Sequence, residues 1–297
     1  MFKKTISITL IVFLLTVIAS NAWAYEYEGI IPYLKSRRVI SYTFDAWNQY
    51  KDVLFTYDNV DPDKLSFGYY NFDTGEEYYH NGNKYFIAAS MYKVPLCMLF
   101  AEKIADGELT PNTEIAGYTL EELIRSSIVD SSNSAPEILW NSIGGYQEYK
   151  RQSAKYLCDN PDNMPWEYYE NNNFTSEQLI YCLKLLVNEP ERFPGIVDYM
   201  LLSGEGAHFK RDVSWCPIAS KMGFVVDEGY HTVYTDMGIV YTTETFAIVM
   251  FTDNLDCGID ALADYCSLMC DYTNSRHYDA EDRMCIHQII MEEFNIP

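Results

Sequence analysis

Residues 85–105 carry the feature that most restricts the fold. A strand-like run, Tyr85-Phe86-Ile87, passes through Ala88-Ala89-Ser90 into a segment from Val94 to Ala105 built of Leu96, Cys97, Met98, Leu99, Phe100 and Ile104. A helix apolar on every side has no face for solvent, so other elements must enclose it. Asp106-Gly107 ends it. Pro95 lies in the first turn, where its missing N–H has no intrahelical partner, so the helix is expected to start at or near Ser90. Lys93 then stands one turn past Ser90 on the same face. Either Ser90 caps a helix beside a solvated lysine, or Ser90 is a nucleophile and Lys93 its base.

The rest of the chain supplies strands at both ends and helices between. Leu65 to Phe72 and Glu77 to His80, around Asp73-Thr74-Gly75, read as a hairpin. Thr119-Leu120-Glu121-Glu122 and Thr175-Ser176-Glu177-Gln178 are capping boxes opening helices to about Ile128 and Leu186. Ser134-Ala135-Pro136-Glu137 opens another, closed by Gly144-Gly145, and Pro194 starts a fourth. Pro217 to Val226, His231 to Tyr241 and Thr245 to Thr252 are rich in β-branched and aromatic residues and read as strands, with Thr242-Thr243-Glu244 as a turn. Residues 258–272 and 281–294 read as helices. The expected architecture is α/β (α+β) and two-lobed: an antiparallel sheet built from both termini, flanked by helices, with an all-helical lobe inserted in the middle.

The first 24 residues stand apart. Lys3-Lys4, the apolar stretch from Ile6 to Ala19, and Ala22-Trp23-Ala24 have the three parts of a secretory signal peptide, with cleavage expected after Ala24. The apolar run is shorter than the roughly 20 residues of a membrane-spanning helix, and no other stretch qualifies. Residues 25–60 form a Tyr-rich lead-in with a helix around Asp45 to Phe55, and 61–297 the main domain. Cleavage takes the net charge from −22 to −24. A chain that acidic is repelled by nucleic acid and by anionic membrane surfaces. An exported chain can form disulfides, and the clustering of Cys257, Cys266, Cys270 and Cys285 places at least one there, without fixing its connectivity. The alternative, zinc held by Cys266, Cys270, His277, Cys285 and His287, matches no standard finger spacing. Cys97 reads as a small buried hydrophobe.

Three short motifs carry the chemistry. Ser90-x-x-Lys93 opens the enclosed helix. A lysine shut into apolar surroundings loses its preference for the charged form and can act as a base, and a helix N-terminus offers N–H groups to an oxyanion. Ser131-Ser132-Asn133 lies between two helices, where it is also an ordinary polar turn. Lys221-Met222-Gly223-Phe224 lies in a strand, where glycine marks a bulge or a close backbone approach and lysine invites an anion.

In order and setting these resemble the S-x-x-K, S-x-N and K-T-G motifs of the penicillin-recognising serine hydrolases. The stretches FIAASMYKVPL, IVDSSNSAPEIL and TDMGIVYTTETFAIVMFTDN are similar to class A β-lactamases and their relatives, over roughly residues 60 to 295. The resemblance implies Ser90 as the acylated nucleophile, Lys93 as its base or proton relay, and Ser131 as the proton donor to the leaving nitrogen. Asn133 would hold the substrate amide, Lys221 would draw its carboxylate, and the backbone N–H groups of Ser90 and Phe224, beside Gly223, would form the oxyanion hole. No cofactor and no metal are expected, and the chain is expected to act as a monomer on a β-lactam or a D-Ala-D-Ala-like peptide.

Two departures weigh on the substrate. Met222 replaces the threonine of K-T-G, removing a hydroxyl worth on the order of 1.5–3 kcal/mol to a bound carboxylate. Pro165-Trp166-Glu167-Tyr168-Tyr169-Glu170-Asn171 has the E-x-x-x-N form that activates the deacylating water, but Asn171 stands just before the Thr175 cap, and Glu167 also reads as one of many surface acids. β-Lactams are the favoured substrates. The alternatives are a D,D-peptidase or transpeptidase acting on cell-wall peptides, and a non-catalytic binder or sensor that keeps the fold.

Overall fold

The computed structural model describes residues 60–204, 208–226 and 231–275. The expected leader, the lead-in up to residue 59, the helix at 281–294 and the residues His277, Cys285 and His287 lie outside these. Strands β1 (Leu65–Asn71) and β2 (Glu77–His80) form the expected hairpin, with Phe67 opposite His80. A short β3 (Phe86–Ile87) leads into a 3-10 turn over Ala89–Tyr92, and helix α1 spans Lys93–Ala105. The α-helix proper thus starts after Ser90 rather than at it, because Ala89 adopts φ +47° and the next residues wind more tightly.

The helical lobe follows. After the small hairpin of β4 (Glu114–Ile115) and β5 (Tyr118–Thr119), α2 (Leu120–Ile128) opens on a complete Thr119/Glu122 capping box. Helix α3 (Ser134–Ser142) is closed by Gly144 and Gly145, whose φ values of 110° and 99° favour glycine. Then come α4 (Tyr146–Ser153), α5 (Trp166–Tyr169), β6 (Asn173–Phe174), α6 (Ser176–Asn188) behind its Thr175/Gln178 capping box, and α7 (Ile196–Leu202). The chain returns to the sheet with β7 (Ile218–Val226), β8 (Thr232–Tyr241) and β9 (Thr245–Thr252), and α8 spans Gly258–Ser275.

The sheet order is β2-β1-β9-β8-β7. Its pairs are antiparallel, and β1 joins β9 with Leu65 opposite Thr252. One face packs on α8, through Phe67, Ile248 and Met250 against Leu262, Tyr265 and Met269. The other face, with Ala219, Met237 and Val249, packs on the lobe core, where Val94 to Ala101 of α1 are buried. Cys97 is fully buried there. Among the described residues no helix is long and apolar enough to cross a membrane.

Helix α4 has no apolar stripe in its sequence, YQEYKRQS, because one of its core residues is a lysine. Lys150 is fully buried, donates to the Asn173 carbonyl at 3.0 Å, and sits 3.7 Å and 3.9 Å from the ring centroids of Phe174 and Tyr168. Burial lowers its pKa to about 6. Between that value and the ordinary lysine pKa of roughly 10.4, the unfolded chain holds a proton that the folded chain lacks, so this residue's contribution to stability rises with pH across that window. Thermal melts from pH 6 to 10 are expected to show wild-type stability climbing relative to Lys150→Met, in which the slope from this residue is gone.

Candidate active site

The site forms where the sheet meets the lobe, at the turn that presents Ser90. Ala89, with its positive φ, is in a region sparsely populated by non-glycine residues, which costs on the order of 1–3 kcal/mol. Three contacts hold it: Thr235 Oγ1 donates to the Ala88 carbonyl at 3.0 Å, Ala88 N to the Asn172 carbonyl at 2.8 Å, and Asn172 Nδ2 to the Ala89 carbonyl at 2.6 Å. Sheet and loop thus both fix the backbone of the turn.

Lys93 is fully buried. Its Nζ donates to the Ser131 carbonyl at 2.8 Å and to Asn133 Oδ1 at 3.1 Å, and lies 3.4 Å from Ser131 Oγ. Lys221, also fully buried, reaches in from β7 and donates to the same Ser131 Oγ at 2.8 Å and to the Met222 carbonyl at 3.0 Å. Burial, and then the positive charge of Lys221, lowers the Lys93 pKa to about 8. Burial lowers that of Lys221 to about 8 as well, against the pull of Asp236. Asp236 is itself fully buried, which raises its pKa to about 7 although Phe209 N donates to it at 3.2 Å. With lysines donating to its oxygen, the Ser131 hydroxyl has its own proton available for a third group.

The Ser131-Ser132-Asn133 turn serves both purposes read from its sequence. Ser132 Oγ accepts from Ala135 N at 3.3 Å at the start of α3, while Ser131, at φ +52°, and Asn133 face Lys93. Gly223 supplies the close approach expected of it. A Cβ there would lie 2.7 Å from the Ser90 backbone nitrogen and 2.5 Å from Thr235 Oγ1. Gly223→Ala is therefore expected to displace the Ser90 turn, costing about 1–3 kcal/mol in a thermal melt and slowing any reaction at Ser90 at least tenfold. Phe224 follows on the edge strand, half exposed, with its ring stacked on Tyr234 at 5.0 Å.

Lys93, Ser131, Asn133 and Lys221 are joined by hydrogen bonds, and Gly223 packs on the Ser90 backbone. Among the described residues neither the Ser90 hydroxyl nor the Glu167 carboxylate hydrogen-bonds to this cluster. Glu167 lies beside Tyr85, whose pKa burial, and to a smaller extent this carboxylate, raises. Asn171 is exposed at φ +45°, its carbonyl accepting from Tyr146 OH, whereas Asn172 is the asparagine that reaches the Ser90 turn. The Asn172 Oδ1 atom is buried without a partner. Four residues before Asn172 stands Tyr168, buried, with its hydroxyl on the Lys150 carbonyl at 2.9 Å. The sequence assigns no role to Asn172, Thr235 or Asp236, although polar residues inside the strand of buried positions around Met237 were the available signal for the latter two. Among the described residues no three His, Cys, Asp or Glu side chains are placed to hold a metal ion.

An antiparallel sheet completed by both ends of the chain, an inserted helical lobe, and two buried lysines meeting on one serine hydroxyl at their junction define the β-lactamase-type fold. Solved structures agree. A β-lactamase from Chitinophaga pinensis superposes with a TM-score of 0.63 at 19% identity, covering 77% of this chain and 99% of that one. The TLA-3 extended-spectrum β-lactamase gives 0.63 at 15% identity, with 76% and 98% covered, and PBP-A gives 0.63 at 17%, with 80% and 97% covered. No curated protein matches the sequence. The chain belongs to the β-lactamase enzyme family, whose description it matches over residues 46–265.

Proposed function

We propose that the protein is an exported serine hydrolase that opens β-lactam amide bonds through an acyl-Ser90 intermediate. The observation that carries this reading is the shared Ser131 hydroxyl, 2.8 Å from Lys221 Nζ and 3.4 Å from Lys93 Nζ, beside the Ser90 turn. In this reading neutral Lys93 takes the Ser90 proton as Oγ attacks the amide carbon. The developing oxyanion is met by the N–H groups of Ser90 and Phe224. Ser131 passes its proton to the departing nitrogen, and Lys93 restores it, while Lys221 supplies positive potential for the substrate carboxylate. The leader, with its Ala22-Trp23-Ala24 site, supports export and cleavage after Ala24.

A second reading is favoured by the position of Glu167. Its carboxylate makes no hydrogen bond to Lys93, and if it also fails to reach the deacylating water at Ser90, the acyl-enzyme is long-lived, as in a D,D-peptidase. Intact-mass spectrometry over time after adding benzylpenicillin separates these. An adduct on Ser90 that vanishes as the drug is consumed supports the lactamase, and one that persists supports the peptidase. No adduct with no drug loss overturns both and leaves the binder, for which Met222 in place of threonine speaks.

A further inference from the structure

On the sheet face away from Ser90, three thiols meet. Cys216 stands just before β7 and is half-buried; Cys266 and Cys270 are fully buried on α8. Cys266 and Cys270 belong to one buried cluster, and Cys216 packs against it, within hydrogen-bond reach of Cys270. The sulfurs are unbridged in the structure. A surface cleft of about 380 Å³, lined by Trp215, Cys216, Pro217, Tyr241 and Asn274, opens on Cys216 from outside. We propose that Cys216 and Cys270 are a built disulfide site, closed by an incoming disulfide that enters through this cleft.

The chemistry balances through thiol–disulfide exchange. The contact with Cys270, and then burial, raise the Cys216 pKa, so exchange belongs to alkaline buffer. There the Cys216 thiolate attacks a small or protein disulfide, forming a mixed disulfide and releasing one thiolate. The Cys270 thiolate then attacks the Cys216 sulfur, closing the bridge and releasing the second. The incoming disulfide takes two electrons and leaves as two thiols, and the chain loses two hydrogens. Access orders the steps, since Cys216 lines the cleft and Cys270 lies behind it. Cys266 is a poorer partner. It sits one turn before Cys270 on the same helix, where the Cβ bonds run parallel rather than toward each other.

The bridge would join the start of β7 to α8 across a loop of ~54 residues, restricting the unfolded chain. Lys221 lies further along the same strand with its side chain toward the Ser90 turn, on the opposite face, where a Cβ on Gly223 would also point, so acylation should be indifferent to it. The test is to treat the purified full chain with oxidised glutathione in alkaline buffer, block remaining thiols under denaturing conditions, and map the non-reduced peptides. The expected result is a linked Cys216–Cys270 pair, 2 Da lighter by the balance above, and a melting temperature about 5 °C or more above the reduced protein. Cys216→Ser should abolish the dithiothreitol-sensitive part of that shift, and Cys266→Ser should keep the link. Both cysteines recovered blocked after oxidation, or a link from Cys270 to Cys266 or Cys285, overturns the proposal. Because the readout is the peptide map, it stands or falls separately from any reaction at Ser90.

Discussion

Ser90→Ala is expected to abolish the covalent step while leaving the fold and the ligand pocket in place. Alanine already occupies the two preceding positions of the turn, and the contacts that hold it come from the Ala88 and Ala89 backbone, so the substitution removes only the hydroxyl. If acylation of Ser90 carries the activity, the rate of β-lactam loss should fall by at least about 10⁴-fold, because no neighbouring group can replace the nucleophile. The mass adduct should disappear and the melting temperature should hardly move. Unchanged drug loss in Ser90→Ala would sink the serine mechanism. Retained affinity with no adduct in the wild type either would instead mark a binder.

The second large effect concerns Lys93. As the base it must be neutral, and with a pKa of about 8 only a minor fraction of it is neutral at pH 7. The acylation rate should therefore climb roughly tenfold per pH unit below 8 and reach a maximum near it. Lys221 titrates in the same range, but Asp236 pulls its pKa upward while the charge of Lys221 pushes that of Lys93 down, so the first proton leaves Lys93. Loss of the second removes the positive potential at the substrate carboxylate, and the profile bends down again above pH 8. Lys93→Ala should lower acylation by about 10³-fold and erase the rising limb, measured as single-turnover adduct formation against pH. A Lys93→Ala enzyme with an intact rising limb would assign that limb to another group.

Much of this site could be read from the sequence because its parts sit on elements with strong local signals. The capping boxes at Thr119 and Thr175 and the β-branched strands place Ser131 in its turn and Lys221 on its strand. The illegible parts depend on long-range packing. Helix α4 escaped because its buried lysine, caged by Phe174 and Tyr168, counts as polar in any periodicity. The asparagine that touches the Ser90 turn is Asn172 rather than Asn171, because β3 pairs with β6, placing Phe86 opposite Phe174, and so sets which loop residue faces the turn. Asp236 faces Met222 across two strands, a neighbourhood that only the sheet register creates.

The pairing of β1 with β9 also has a consequence in time. The first strand of the sheet pairs with β2 at once but cannot find β9, its other neighbour, until the chain has been made as far as Thr252. Strand β7, which brings Lys221, docks on the far side of β9 through β8. Ser90, Lys93 and Ser131 emerge from synthesis long before, in or beside helices that can wind locally. The serine-lysine cluster is thus assembled last, by the slow closure of distant ends. If acylation of Ser90 carries the activity, a chain whose sheet is still open is inert toward β-lactams.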